Sequence, residues 1–355
     1  MPRFRVEELR PLGVAILRAA GATEEEAGLV VGHALASILS GEENHGLALG
    51  SQYIPSIKAG ILKPGSEITI EKETATTLLV NGNFNFGHYV SHHTMLRLIE
   101  KARAQNVAAA SIKYQCHVGR LVDYTSMAAA QGMIALMMTD GAWGPKFMAP
   151  TGGRDRRLGV NPFSLALPSD MEGTVAFDMT AGTVSVGKIS RARAMGERVQ
   201  EGWIVDKQGR PSTDPNDFFD GGSVLPLGGV QAHKGYVLTF MIEALADILS
   251  GMEWEEESSR PWPIIDGCFI ALFNTEAFRP LGDFKRDLRS FIGYVKSSSA
   301  AEGSPGVFYP GERSHRNTVQ RALDGVDIPD KLWQEVLGYV REYGLTELVP
   351  ENLAT

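Results

Sequence analysis

His45 lies between Asn44 and Gly46 in the stretch GEENHGLALG, residues 41–50, just past the expected end of a helix. An imidazole changes charge near neutral pH, so it can give up or take a proton during a reaction. The negative end of a helix dipole also favours its protonated form. A histidine beside glycine is more commonly just a turn residue, and the pair alone does not overturn that reading.

Two glycine-bearing stretches could hold an anion. GTVSVGKIS, 182–190, nearly matches a nucleotide-triphosphate loop through Gly182, Gly187 and Lys188, but Ile189 stands where a hydroxyl must reach magnesium. LPLGGVQAHKGYV, 225–237, brings His233 and Lys234 to the start of a long apolar helix, where amides and dipole both favour an anion. An early strand followed by G-x-G-x-x-G is missing, which argues against a standard Rossmann domain. Metal and thiol readings are weak. His88 and His92 are four apart without a third ligand, His92 and His93 face different sides of a helix, and Cys268 lies in an apolar run.

These residues sit in a chain of 355, with 42 acidic against 34 basic side chains and a net charge of −8. That balance leaves no basic footprint for nucleic acid or an anionic membrane. Two cysteines make neither a disulfide framework nor a four-cysteine zinc site. The opening MPRFRVEELRPLG turns charged too early for a signal peptide, and apolar runs stay short of the ~20 residues of a membrane span. The expectation is a soluble cytoplasmic protein.

The elements that would position the chemistry follow from periodicity. VEELRPLGVAILRAAG reads as a helix stopping at Gly21. Thr23 with Glu26 is a capping box for a second helix, 24–40. HTMLRLIEKARAQN and LVDYTSMAAAQG read as helices, and VAAASIKYQ, GMIALMMTD, SLALPS, TVAFDMT and IDGCFIALFN as strands. HKGYVLTFMIEALADILSG reads as one helix closing on Gly251, GMEWEEESSRPWP as a surface loop, and FKRDLRSFIGYVKSS and DKLWQEVLGYVREYG as late helices. This gives an α/β middle, 76–275, flanked by a helical subdomain built from 1–75 and 276–355.

Nearly end to end, the chain resembles the type 2 malate/L-lactate dehydrogenase family. NHGLALGSQYIPSIKAGIL, SIKYQCHVGRLVDY, APTGGRDRRLGVNPFSLALP, FDMTAGTVSVGK, GGVQAHKGYVL and YPGER each find a counterpart in the family's order. The RDRRLGVNPF and HVGR details look closest to its hydroxycarboxylate dehydrogenase branch.

The resemblance implies a non-Rossmann three-layer α/β fold with a seven-stranded mixed sheet, a homodimer, and NADH or NADPH reducing a 2-oxo acid. His45 matches the proton donor, Asp178 its partner acid, and His117 a pocket histidine. Thr180, Ala181, Gly182, Thr183, Val184, Ser185 and Val186 match a cofactor loop. His233 and Lys234 match a second contact, and Gly311, Glu312 and Arg313 a third. Two positions depart from the pattern. Asn44 stands for the usual serine, and Leu49 replaces an arginine that clamps the substrate carboxylate. Arg120, three residues past His117, is the candidate replacement, because a carboxylate in a cleft needs a cationic or amide partner. Lys188, Arg191, Arg193 and Arg313 could each meet a 2′-phosphate. Reduction of a cyclic imino acid, or a nucleotide-binding descendant without catalysis, are the alternatives.

Overall fold

The computed structural model describes residues 3–42, 52–141, 144–252 and 265–349. Asn44, His45 and Leu49, and most of the polar segment 251–263, lie outside the described residues.

A short pair, β1 (Arg3–Phe4) with β12 (Val326–Asp327), joins the two ends of the chain. Around it pack α1 (Val6–Ala19), α2 (Glu24–Ser40) and α11 (Asp330–Glu342), with Phe4, Ile16, Val30, Trp333 and Leu337 in one apolar cluster. α2 begins as its residue types dictate. Thr23 Oγ1 accepts the Glu26 amide at 3.2 Å, and the Glu26 carboxylate accepts the Thr23 amide at 2.9 Å. The same buried carboxylate takes the Gly65 amide and the Asn85 side-chain amide, so the cap also ties α2 to the loops before β2 and after β3. α2 ends at Gly41, whose φ of 95° suits glycine.

The central sheet holds β2 (Thr69–Glu73), β3 (Thr77–Asn81), β4 (Val107–Cys116), β5 (Met133–Gly141), β6 (Pro162–Leu167), β7 (Val175–Thr180) and β11 (Ile265–Asn274). Their order is β2-β3-β4-β11-β5-β6-β7. β3 and β4 run parallel and every other neighbouring pair antiparallel, so the sheet is mixed and is not a Rossmann sheet. α4 (Gly87–Gln105) and α5 (Val122–Ala130) cover one face, where Ala135, Met137, Leu98 and Ile270 are buried together. Met138, one residue along from Met137, packs on the other face with Leu238 and Ile242 of α8 (His233–Glu243). Truncating a side chain such as Leu98, which water does not reach, would cost about 2–5 kcal/mol.

The pairings put the ends of β3, β4, β5 and β7 at one sheet edge, where β6 and β11 begin. Beyond that edge lie α6 (Val186–Met195), α7 (Pro215–Phe219) and a small antiparallel sheet of β8 (Ile204–Val205), β9 (Pro211–Ser212) and β10 (Ser223–Val224).

One expected helix is broken. α8 stops at Glu243 and widens into a π-turn over Ala244–Ile248 before Gly251. The wide turn sets Asp247 under the sheet at Gly267, where an added Cβ would lie 2.2 Å from Asp247 Oδ1. The glycine makes room for a carboxyl that a regular helix would have turned elsewhere.

Candidate functional site

His117 follows β4 directly. The close seat of α4 against this turn requires Gly87, since a Cβ there would fall 2.0 Å from the Cys116 carbonyl. His117 Nδ1 and the Tyr53 hydroxyl are 2.8 Å apart; which of them donates depends on the tautomer. Burial, with Asp266 and Cys116 adding, pushes the ionisation of Tyr53 well up, so the phenol keeps its proton.

Asp178 lies two residues before the end of β7, opposite Ser164 of β6. Phe177 turns to the α8 face, so the alternation of the strand sends Asp178 to the α5 face. There Asp178 Oδ2 accepts the Val122 amide at 2.9 Å, capping α5 from a distant strand. Desolvation by the surrounding protein raises this carboxyl to about 6, against the Val122 and Leu121 amides and Arg120. The side chain is nevertheless exposed, so it sits in a concavity that water can enter.

Arg120 occupies the same turn and is held firmly. Its Nε and Nη2 donate to the two oxygens of Asp123, the Nε bond at 3.3 Å, and Nη1 donates to Ser40 Oγ at 2.5 Å. Asp123 Oδ2 also lies 3.0 Å from His33 Nδ1 of α2. Burial would raise the Asp123 carboxyl, but His33 and Arg120 outweigh it and hold it below the usual range. In the chain by itself Arg120 is thus part of an ion-pair network, with N–H donors left over.

The residues after β7 form a tight corner. A Cβ on Gly182 would lie 2.6 Å from Val160 Cγ1, and Leu225 O accepts both the amide and the hydroxyl of Thr183. Ala181 and Val184 are buried. Ser185 stands at the start of α6 without a side-chain cap bond, and its Oγ is buried with no partner among the described residues. His233 and Lys234 are exposed at the start of α8. Gly235 lets that helix meet the corner, since a Cβ there would be 2.4 Å from the Leu227 backbone and 2.9 Å from Ala181 O. An uncapped helix start, an orphaned hydroxyl and close-approach glycines fit a phosphate group of a dinucleotide.

Gly311, Glu312 and Arg313 stand apart from this corner. Gly311 packs on Thr174 O, before β7 begins, so at ~3.3 Å per residue they lie about 20 Å along the strand from Thr180. Glu312 is buried and bonded to Lys296 and Arg316, both at 2.6 Å, and to the Tyr309 amide. Arg313 lies over the Phe308 ring. Arg193 stacks on Phe219 and bonds Asn216, while Lys188 and Arg191 are exposed.

The structure therefore brings His117, Arg120, Asp178, residues 180–186 and the start of α8 to one edge. Sequence reasoning passed over His33 and Asp123, which lie on different helices 90 positions apart. The opposite charges of Arg120 and Asp123, three residues apart, were the available signal.

An acid, an imidazole, an arginine and a corner whose shape fits an anion thus meet at one sheet edge, a set of groups compatible with hydride-transfer chemistry. Residues 4–337 match the malate/L-lactate dehydrogenase family, and the chain belongs to that family. It is similar to the malate/(S)-sulfolactate dehydrogenase of Methanothermus fervidus, 35% identical over 93% of this chain and 95% of that one. It is 29% identical to hydroxycarboxylate dehydrogenase B of Escherichia coli O157:H7, over 97% of this chain and 95% of that one. Its fold superposes on the malate dehydrogenase of Entamoeba histolytica with a TM-score of 0.92 at 27% identity, covering 97% of this chain and 98% of that one. The chain is accordingly an enzyme of the 2-hydroxy acid dehydrogenase class, which implies a nicotinamide cofactor.

Proposed function

We propose that the protein interconverts a 2-oxo acid and its 2-hydroxy acid with NADH or NADPH, and that His45 moves the proton. The cofactor supplies and accepts the hydride. His45 gives a proton to the carbonyl oxygen in reduction and takes the hydroxyl proton in oxidation. Asp178 holds the imidazole and favours its charged form, and His117, kept in place by Tyr53, lines the pocket. Arg120 and Asn44 meet the substrate carboxylate; the donors that Asp123 and Ser40 leave unused are what Arg120 brings. Thr180 to Val186, with His233 and Lys234, hold the cofactor, and Gly311 to Arg313 form its outlying contact.

One observation carries this reading. Both flanks of segment 43–51 are fastened to the turn after β4: Ser40 to Arg120, and Tyr53 to His117. Asp178 is fastened to the same turn through Val122. A chain anchored so on both sides can bring His45 to Asp178 without crossing the molecule. Pyruvate, phenylpyruvate, oxaloacetate and a cyclic imino acid, each run with NADH and NADPH, test the reading. Turnover of an oxo acid supports it, and turnover of the imino acid alone overturns it.

The homodimer is part of the same proposal. Val237, Phe240, Met241, Ile248 and Leu249 are exposed on α8 and the turn after it, a continuous apolar stripe beside the cofactor corner. Light scattering at twice 38.5 kDa supports the dimer, and a mass of 38.5 kDa contradicts it. We place the protein in the cytoplasm, since Cys116 and Cys268 are both buried and unpaired, as suits a reducing compartment. The helical parts 1–75 and 276–355 serve, in this reading, to carry His45 to the sheet edge of 76–275.

A further inference from the structure

Behind the cofactor corner lies a cavity of about 520 Å³ for which the proposed mechanism has no use. Its size is that of a small-ligand site. Among the described residues lining it there is no carboxylate, and Arg154 is the charged one, in a chain whose net charge is −8. Thr151, Gln208 and Ser223 add two hydroxyls and an amide. Ser223 is 1% exposed, and its Oγ has no hydrogen-bond partner among the described residues. A buried hydroxyl without a partner costs stability unless something else bonds it. Arg154 is held loosely, 3.9 Å from Asp155 in a pair open to water, which leaves its guanidinium available.

The cavity shares a wall with the corner. Leu225 and Pro226 line it, and the same two residues meet Thr183 and Gly182 from behind. The cavity thus adjoins residues 180–186, none of which lines it.

We propose that this cavity binds a phosphomonoester, with Arg154 and Ser223 as its principal donors. Two sources supply that chemistry: the 2′-phosphate of NADP(H), which rests on the cofactor reading given above, and a free phosphate, which does not. Arg154 would then distinguish the two dinucleotides, ahead of Lys188, Arg191, Arg193 and Arg313.

Titration calorimetry on the full chain separates the sources, using adenosine 2′,5′-bisphosphate, 5′-AMP and inorganic phosphate as probes. The 2′-phosphate source predicts that the bisphosphate binds at least about 10-fold tighter than 5′-AMP, and that Arg154→Ala and Ser223→Ala each remove most of that gap. The free-phosphate source predicts binding of inorganic phosphate that Arg154→Ala weakens by about 10- to 100-fold, with no preference for the bisphosphate. Arg154 is exposed, so its replacement leaves the fold intact, and a thermal melt of each variant checks this. A bisphosphate preference that survives both substitutions, together with no Arg154-dependent phosphate binding, overturns the proposal. Phosphate binding in a protein that turns over no oxo acid would sink the function and leave this site standing.

Discussion

Asp178, on the edge strand of the sheet, accepts the backbone amide of Val122 at 2.9 Å. The bond links a strand to the start of a helix 56 residues earlier, and with it the acid comes to the turn that carries His117 and Arg120. The carboxyl there is lifted to about 6 by desolvation. It is neutral below that pH and charged above it, and only the charged form can favour a neighbouring imidazolium.

Turnover in the direction of reduction should therefore climb as pH rises through about 6. Asp178→Asn should lose that limb and fall by about 10²-fold or more, with cofactor affinity unchanged. Stability has the opposite sign. The folded value lies above the ordinary 3.8, so this carboxyl makes the native state lose stability as pH rises from about 4 through 6, and the asparagine variant should lose less over that range. Rate profiles and melts from pH 4.5 to about 9 check both signs. An unchanged acid limb in the variant would remove Asp178 from the reaction.

Gly235 is where helix α8 meets the corner after β7, the proposed cofactor site. Alanine there would press on the Leu227 backbone and on Ala181 O, neither of which can rotate away. The expected outcome for Gly235→Ala is a KM for the dinucleotide raised about 10-fold or more, from a displacement near 1 Å, and a lower melting temperature. An alanine enzyme with wild-type cofactor KM would show that the helix start is not part of the cofactor site.

Asp247, beneath the sheet at Gly267, is pushed up to about 11 by burial, with Asp140 adding to the rise. Lys146, 3.2 Å from Asp140, only partly offsets the negative charge around it. The native chain thus keeps a proton on Asp247 that the unfolded chain releases above about 4. Stability is full below that pH and declines as pH rises toward 11. Asp247→Asn, which needs no proton, should melt about 2–5 °C above the wild type at pH 8.5, with the gap closing toward pH 4. A lower melting temperature for the variant at pH 8.5 would contradict this account of the buried acids.

Local chemistry was readable in the sequence and long-range chemistry was not. Thr23 and Glu26 announce their helix because both capping partners lie within one turn. The apolar runs of β4, β5 and β11 announce themselves because a central strand is buried on both faces. β2, whose residues TIEKE are largely exposed at the sheet edge, and the two-residue strands β8 to β10 are too polar or too short for any periodicity to show. The break in α8 has no sequence signal: it sets Asp247 against a glycine on another element, and that meeting is not visible in local periodicity. At the site, the resemblance supplied His117, Asp178 and the corner after β7. The pairing of His33 with Asp123, and the tie of Asp178 to Val122, depend on how separate elements pack, and only coordinates show them.

The central claim is that His45 moves the proton, and the most direct measurement is the kcat of His45→Ala on the best oxo acid of the panel, beside the Kd for the reduced dinucleotide. The account predicts that kcat falls by about 10²- to 10⁴-fold while that Kd stays within about twofold. A kcat equal to that of the wild type would contradict it.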